Sequence, residues 1–216
     1  MHSCLLTLLL ALNPVTHPVQ SPVLDRWDAE TVRMLNTARE VGYMSEEEKK
    51  VVLFMNMARH DGPLFSDTFL ELFVKDKQLE NSSELRSLHR HLKKVTGLTP
   101  LVPEEDLTAV AQGHAASSGQ SGHVGHQDFN KRYGPLMGNP YRQVGENISY
   151  GFDQAIDNVI RLLIDEGVKD LGHRKNILTE GFNSVGVAIR PHKRYRFNCV
   201  TAFGGRDRSQ LNEVPY

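Results

Sequence analysis

The order of helical and strand patterns constrains the fold of this chain more than any other sequence feature. Apolar residues recur at helical spacing in several segments before residue 167, whereas two β-rich runs, 184–189 and 197–203, lie close to the end. The charged segment 190–196 between these runs predicts an exposed hairpin loop. Helices followed by a late strand pair are typical of α+β domains, in which helices pack on an antiparallel sheet.

Length and charge limit the classes of partner. A chain of 216 residues, 39% of them hydrophobic, is long enough for one domain with a core and an N-terminal extension. Its 25 Lys and Arg residues balance 26 Asp and Glu residues, for a net charge of −1. Such a chain has no overall positive electrostatic potential that would attract polyanions, so we expect no nucleic-acid partner.

The N-terminus carries an apolar run from Cys4 to Leu12. This run has the length of a signal-peptide core and is far too short to span a membrane. We therefore predict a signal peptide in residues 1–20, no transmembrane segment, and a secreted or periplasmic protein. The alternative is a buried N-terminal helix, because no Lys or Arg precedes the run. Cleavage would leave Cys199 without a disulfide partner, and its apolar strand predicts a core residue rather than a nucleophile.

Capping signals mark several helices. Ser45 and Glu48 form a capping box that predicts a helix from Glu46 to about His60, after an N-terminal helical extension over residues 21–44. Asn81 and Glu84 resemble a second capping box, and the helix that follows is expected to continue through Val95.

The second half of the helical region contains a long irregular passage. Helical spacing is clear over 107–117 and 153–166. Residues 119–145 between them are rich in glycine and have little periodicity. Because long irregular loops in compact domains are usually functional or disordered, we expect functional residues near this passage.

Four short motifs place ionisable residues beside glycine or at the end of an apolar helix. They are Gly122-His123-Val124-Gly125-His126, Gly145-Glu146-Asn147-Ile148, Leu163-Ile164-Asp165-Glu166-Gly167 and Gly172-His173-Arg174-Lys175-Asn176-Ile177-Leu178. The second and fourth resemble the GENI and GHRxNIL motifs of the CAP superfamily (SCP/TAPS), which includes the cysteine-rich secretory, antigen 5 and pathogenesis-related class 1 proteins. Asn56-Met57-Ala58-Arg59 is similar to the NxxR motif of the family's first helix.

The resemblance covers residues 45–204 and is strongest to the bacterial secreted type of CAP domain. It implies a three-layer α/β/α sandwich, with residues 61–99 as an insertion and residues 205–216 as a C-terminal tail. It also implies a cleft lined by a histidine, a glutamate, a second acid and another histidine.

The family pattern is carried over to four cleft residues: His123, Glu146, Asp165 and His173. His126 is the alternate for the first histidine, because counting forward from the preceding helix favours it. Glu166 is the alternate for the second acid, because Leu162 stands where the family has a tryptophan.

The chemistry of such a cleft suggests three functions. Imidazoles at His123 and His173 can bind zinc or another divalent metal, with carboxylates as ligands or as orienting groups, although paired histidines and acids can also form a metal-free polar cluster. By family analogy, we expect a non-enzymatic protein that binds a lipid, sterol, peptide or other small molecule. One alternative is a hydrolase in which Glu146 or a metal-bound water attacks the substrate. The other is an extracellular interaction module that uses residues 61–99.

Overall fold

A four-stranded sheet forms the middle layer of the computed structural model, which describes residues 23–207. Its strands, in the spatial order β1-β3-β4-β2, are β1 (Val102–Pro103), β2 (Gln143–Tyr150), β3 (Ser184–His192) and β4 (Arg196–Gly205). Strand β4 pairs antiparallel with both β3 and β2, whereas β1 pairs parallel with β3. Strand β2 therefore lies at one edge of the sheet.

Helices cover both faces of this sheet. They are α1 (Ala29–Leu35), α2 (Glu46–His60), α3 (Gly62–Phe65), α4 (Glu71–Asp76), α5 (Ser83–Leu92), α6 (Glu105–Ser121), α7 (Phe129–Tyr133), α8 (Ala155–Ile164) and α9 (Gly172–Leu178). A π-helical segment, Ser66–Leu70, joins α3 to α4, and single 3₁₀ turns lie at Leu24–Arg26 and Gly134–Leu136.

The alternation of side chains along the strands creates two cores. Val185 and Val187 of β3 pack with α2, α8 and α9 on one face. Ala188 of β3 and Val200 of β4 pack with α6 and Tyr133 of α7 on the other. Successive strand residues point to opposite faces, so this strand pair supplies both cores of the α/β/α sandwich. The expected α+β sandwich is thus confirmed.

Helix α6 lies unusually close to the sheet at Gly186. A Cβ atom at this position would lie 2.2 Å from the backbone of Leu107. Glycine is therefore required where the helix crosses β3.

The first predicted capping box is confirmed and the second is displaced. Ser45 accepts a hydrogen bond from the Glu48 amide, and the Glu48 side chain accepts one from the Ser45 amide. For α5 the N-cap is Ser82 rather than Asn81, and the helix ends at Leu92. Beyond Leu92 the chain continues in tight turns, with the Val95 amide donating to the carbonyl of Leu92, and the Val95 carbonyl accepts a tertiary hydrogen bond from the Gly62 amide.

Other predicted boundaries also change. The hairpin loop shrinks from 190–196 to residues 193–195, because β3 extends to His192 and β4 begins at Arg196. Residues 119–145 are less irregular than expected, since they contain the end of α6, all of α7 and the start of β2.

The segment 61–99 packs on the same core as α2 and α8. Its buried residues include Phe65, Leu70, Leu85 and Leu88. That this segment is an insertion stays a prediction.

The predicted signal peptide lies outside the described residues, as does the tail beyond residue 207. Within residues 23–207, no helix combines the length and apolar character needed to cross a bilayer.

Candidate functional site

The edge strand β2 places two neighbouring polar residues on opposite faces of the sheet. Glu146 lies on the α7 side, where Tyr133 contacts it. Asn147 lies on the α9 side, where its amide donates to the carbonyl of His173 at 2.9 Å. Two histidine–carboxylate pairs are built around this edge, one on each side.

The first pair is formed by His126 and Glu146. The Glu146 side chain is 0% exposed, and its Oε1 accepts a hydrogen bond from His126 Nδ1 at 2.8 Å. Arg132 donates to both carboxylate oxygens, and the hydroxyl of Tyr133 donates to Oε2 at 3.0 Å. Burial by itself would raise the pKa of Glu146, but the hydrogen bonds from Arg132 and His126 lower it to about 2. The carboxylate is therefore ionised and has all its acceptor positions in use.

The orientation of His126 depends on the glycine before it. Gly125 has a φ of 101°, which favours glycine. Its amide donates to the hydroxyl of Tyr150 at 2.9 Å, and its carbonyl lies 3.0 Å from His114 Nε2. Burial lowers the pKa of His114, which favours the neutral imidazole, and its Nε2 carries the proton because a carbonyl oxygen only accepts. These contacts hold the loop so that the His126 ring meets Glu146.

The second pair is formed by Asp165 and His173. Asp165 follows α8 in the left-handed conformation, with φ at 60°. Its Oδ1 accepts a hydrogen bond from His173 Nδ1 at 2.6 Å, and its Oδ2 accepts from the amides of His173 at 2.9 Å and Arg174 at 3.2 Å. The Asp165 side chain is 0% exposed and the His173 side chain is 25% exposed.

Both imidazoles have the same tautomer. A carboxylate only accepts hydrogen bonds, so Nδ1 must carry the proton in His126 and in His173. In the neutral rings, Nε2 is then an acceptor, and in neither ring does it make a hydrogen bond to a residue of the described range 23–207. The His126 side chain is 46% exposed. The arrangement can thus accept a proton or bind a ligand at two nitrogen atoms.

Buried arginines fix the elements that carry the second pair. Arg174 donates to the carbonyls of Leu163 and Ile164, at the end of α8, and to that of Glu84 in α5. Arg59 donates to the carbonyl of Ile177 in α9, among others. These bonds tie the turn at Asp165 to the surrounding helices.

The alternate His126, rather than His123, contacts Glu146. The His123 side chain is exposed, and its carbonyl accepts a hydrogen bond from His192 Nε2 at 2.9 Å. Gly122 before His123 and Gly125 before His126 both have positive φ angles that set the direction of this loop, which is why motif matching alone did not distinguish the two histidines. The alternate acid Glu166 is exposed, whereas Asp165 faces His173.

No sequence motif indicated Arg132 or Tyr133 as partners of Glu146. The rings of Phe129 and Tyr133 stack at 4.4 Å. Their four-residue spacing was the available signal for the short helix α7, which brings both missed residues to Glu146.

The side chains of the two histidine–carboxylate pairs do not form the ligand set of a closed zinc site. Such sites use four protein ligands, usually from cysteine, histidine and carboxylates. In residues 23–207, no group of three or more His, Cys, Asp or Glu side chains is arranged to hold a metal ion. Hydrogen bonds occupy the Glu146 carboxylate, and the Arg132 guanidinium beside it disfavours a second cation.

Three solved structures to which this chain is similar have identities below 25%. An extracellular protein containing an SCP domain from Bacillus anthracis matches with 23% identity over 56% of this chain and 37% of that one, at a TM-score of 0.40. An outer surface protein from Borrelia burgdorferi matches with 15% identity over 60% of this chain and 97% of that one, at a TM-score of 0.42. Venom allergen-like protein 4 of Schistosoma mansoni matches with 12% identity over 76% of this chain and 91% of that one, at a TM-score of 0.47.

The sequence comparisons are of two kinds. A search of the curated proteins finds no match. The model of the CAP family, described as the cysteine-rich secretory protein family, matches residues 32–203. This match covers most of the chain, including both histidine–carboxylate pairs, and the chain belongs to the CAP family.

Proposed function

We propose that this chain is an extracellular, non-enzymatic CAP protein that binds a small or extended ligand at its two histidine–carboxylate pairs. One observation carries the proposal. His126 and His173 each donate Nδ1–H to a buried carboxylate, and each leaves Nε2 without a partner among the described residues on a partly exposed ring.

The two Nε2 atoms define what a ligand must offer. A neutral imidazole accepts a hydrogen bond there from a hydroxyl, an amide N–H or an ammonium group. A protonated imidazole donates one to a carboxylate or phosphate. Sterols, peptides and lipids each contain one of these groups, so all three classes are candidates.

Two features favour binding over hydrolysis. Glu146 is a poor general base because its pKa is about 2 and its carboxylate already accepts four hydrogen bonds. Moreover, no hydroxyl or thiol of residues 23–207 contacts Nε2 of either site histidine, and burial raises the pKa of the Cys199 thiol to about 12.

Titrations of the full chain with three probes test the proposal: oleic acid, cholesteryl sulfate and tetra-alanine. Histidine-ring NMR signals and calorimetry are recorded for wild type, His126→Ala, His173→Ala and the matched control His123→Ala. We expect one probe to bind wild type and the control equally, and to bind both site variants at least about fivefold more weakly.

The outcome separates three possibilities. Equal binding by all four proteins, or no binding of any probe up to about 1 mM, contradicts the proposed function. Binding that is lost only in His123→Ala overturns the assignment of His126. A control titration with zinc should show weaker binding than a closed four-ligand site gives.

The extracellular location has a separate test. The full chain is expressed in a bacterium with an export pathway, and its N-terminus is determined by mass spectrometry. Export with cleavage inside residues 1–20 is expected. An intact N-terminus in the cytoplasm contradicts the location.

A further inference from the structure

One cavity is lined by none of the four residues of the histidine–carboxylate pairs, although its residues Ile164 and Glu166 flank Asp165. Its volume is about 450 Å³, within the range of roughly 300–1,000 Å³ that is usual for small-ligand pockets. It opens between the end of α8 and the segment leading into α5. The residues that define its chemistry are Leu79, Glu80, Leu85, Arg161, Ile164 and Glu166.

Arg161 is held in this cavity by aromatic rings. Its guanidinium carbon lies 4.3 Å from the ring centre of Phe152 and 5.7 Å from that of Phe73. Its Nε is buried and has no hydrogen-bond partner among the described residues. The carboxylate of Asp157 lies 4.0 Å from Nε, beyond hydrogen-bond distance. The Arg161 side chain as a whole is 34% exposed and lines the cavity, so the two rings hold the guanidinium where an acceptor supplied by a ligand can reach its outer N–H groups.

The floor and the rim of the cavity differ in polarity. Leu85 and Ile164 are 4% and 6% exposed, and with the partly buried Leu79 they form an apolar floor. Glu80 and Glu166 are exposed at the rim, and neither makes an ion pair within residues 23–207. The cavity thus combines one cation, an apolar surface and two free carboxylates.

We propose that this cavity binds a short peptide that has an apolar C-terminal residue and both ends free. The terminal carboxylate accepts hydrogen bonds from Arg161, and the apolar side chain packs on the floor. The ammonium group lies against Glu80 and Glu166. These two carboxylates disfavour a purely anionic ligand and select one that also carries a positive charge.

The dipeptide Leu-Leu is the probe, with its C-terminal amide and its N-acetyl derivative as matched analogues. Calorimetry gives the affinities, and the Arg161 Nε–H signal is followed by NMR. The proteins are wild type, Arg161→Gln, Glu166→Gln and the control Arg90→Gln, which changes an exposed arginine on α5.

Leu-Leu should bind wild type and Arg90→Gln equally and shift the Arg161 Nε–H signal. Amidation should weaken binding to wild type about tenfold, and acetylation by about threefold. The amidation effect should vanish in Arg161→Gln, and the acetylation effect should shrink in Glu166→Gln.

Three results would overturn the proposal. One is equal affinity of wild type for Leu-Leu and its amide, which requires no variant protein. Another is an unchanged Nε–H signal at saturation. The third is no binding of Leu-Leu up to about 10 mM.

Discussion

The two histidine–carboxylate pairs look alike in composition, but different parts of the chain build them. Glu146 receives its hydrogen bonds from side chains: two from Arg132, one from Tyr133 and one from His126. Asp165 receives two of its three from backbone amides, those of His173 and Arg174.

This difference determines how sensitive each pair is to substitution. The charge of Glu146 is balanced by one guanidinium, so a single substitution can leave it buried and uncompensated. Asp165 is stabilised within a short local turn, and no side-chain substitution removes the two amides. We therefore expect the first pair to be more sensitive to mutation than the second.

The largest expected effect is that of Arg132→Met. It removes the guanidinium but keeps much of the apolar stem, and so leaves the buried carboxylate of Glu146 without its cation. We expect a loss of about 3–5 kcal/mol in the free energy of unfolding, measured by urea denaturation. The control is Arg142→Met, because Arg142 is 76% exposed in its ion pair with Asp207 and should contribute less than about 1 kcal/mol.

A double variant shows whether charge causes this loss. Glu146→Gln combined with Arg132→Met removes both charges, and should be more stable than Arg132→Met alone. A double variant that is less stable by the full sum of the single effects would contradict the charge argument.

The next largest effect is a pH dependence of the free energy of unfolding, which arises from Glu146. Its pKa falls from 4.5 in the unfolded chain to about 2 in the folded protein. The stabilisation is therefore fully present above about pH 4.5 and is lost as the pH falls towards 2. A shift of this size corresponds to about 3 kcal/mol.

The measurement is the difference in unfolding free energy between wild type and Glu146→Gln across this pH range. The stability advantage of wild type should decrease by about that amount on acidification. A difference independent of pH would show that Glu146 is not held ionised by its partners.

The sequence predicted contacts within one short segment better than contacts between distant segments. The motifs identified Asp165 and His173, whose contacts lie within one short segment. They also identified Glu146, but not its partners Arg132 and Tyr133, which reach it through a five-residue helix marked by only one pair of aromatic residues at helical spacing. The choice between His123 and His126 depended on loop dihedral angles at two glycines, which spacing does not encode.

The ends of β3 and β4 at their hairpin were also hard to predict from local sequence. Its charged residues predicted a loop over 190–196. However, Arg190 pairs with the buried Glu48, and His192 is 3% exposed, with its Nε2 donating a hydrogen bond to the carbonyl of His123. Tertiary partners of these polar residues accompany the extension of β3, and local polarity gave no indication of them.

A smaller effect is expected at Asp165. Asparagine tolerates the left-handed conformation of this position and keeps an oxygen that can accept from the His173 and Arg174 amides. We expect Asp165→Asn to lose about 1–2 kcal/mol, less than Arg132→Met. Asp165→Ala should lose about 1 kcal/mol more, because alanine has neither the acceptor nor the tolerance for positive φ. Equal losses in the two variants, measured by urea denaturation, would contradict this view of the turn.

The smallest effect is expected for His126→Ala. Arg132 and Tyr133 still satisfy Glu146 in this variant, and the His126 side chain is 46% exposed, so solvent weakens its contribution. We expect a loss below about 1 kcal/mol, and a larger one for His173→Ala, since the His173 side chain is only 25% exposed. Urea denaturation of both variants near pH 7, beside His123→Ala, measures the difference. A loss in His126→Ala as large as that in Arg132→Met would mean that the imidazole, rather than the guanidinium, holds Glu146 in place. The first pair would then depend on the same residue that is proposed to bind the ligand.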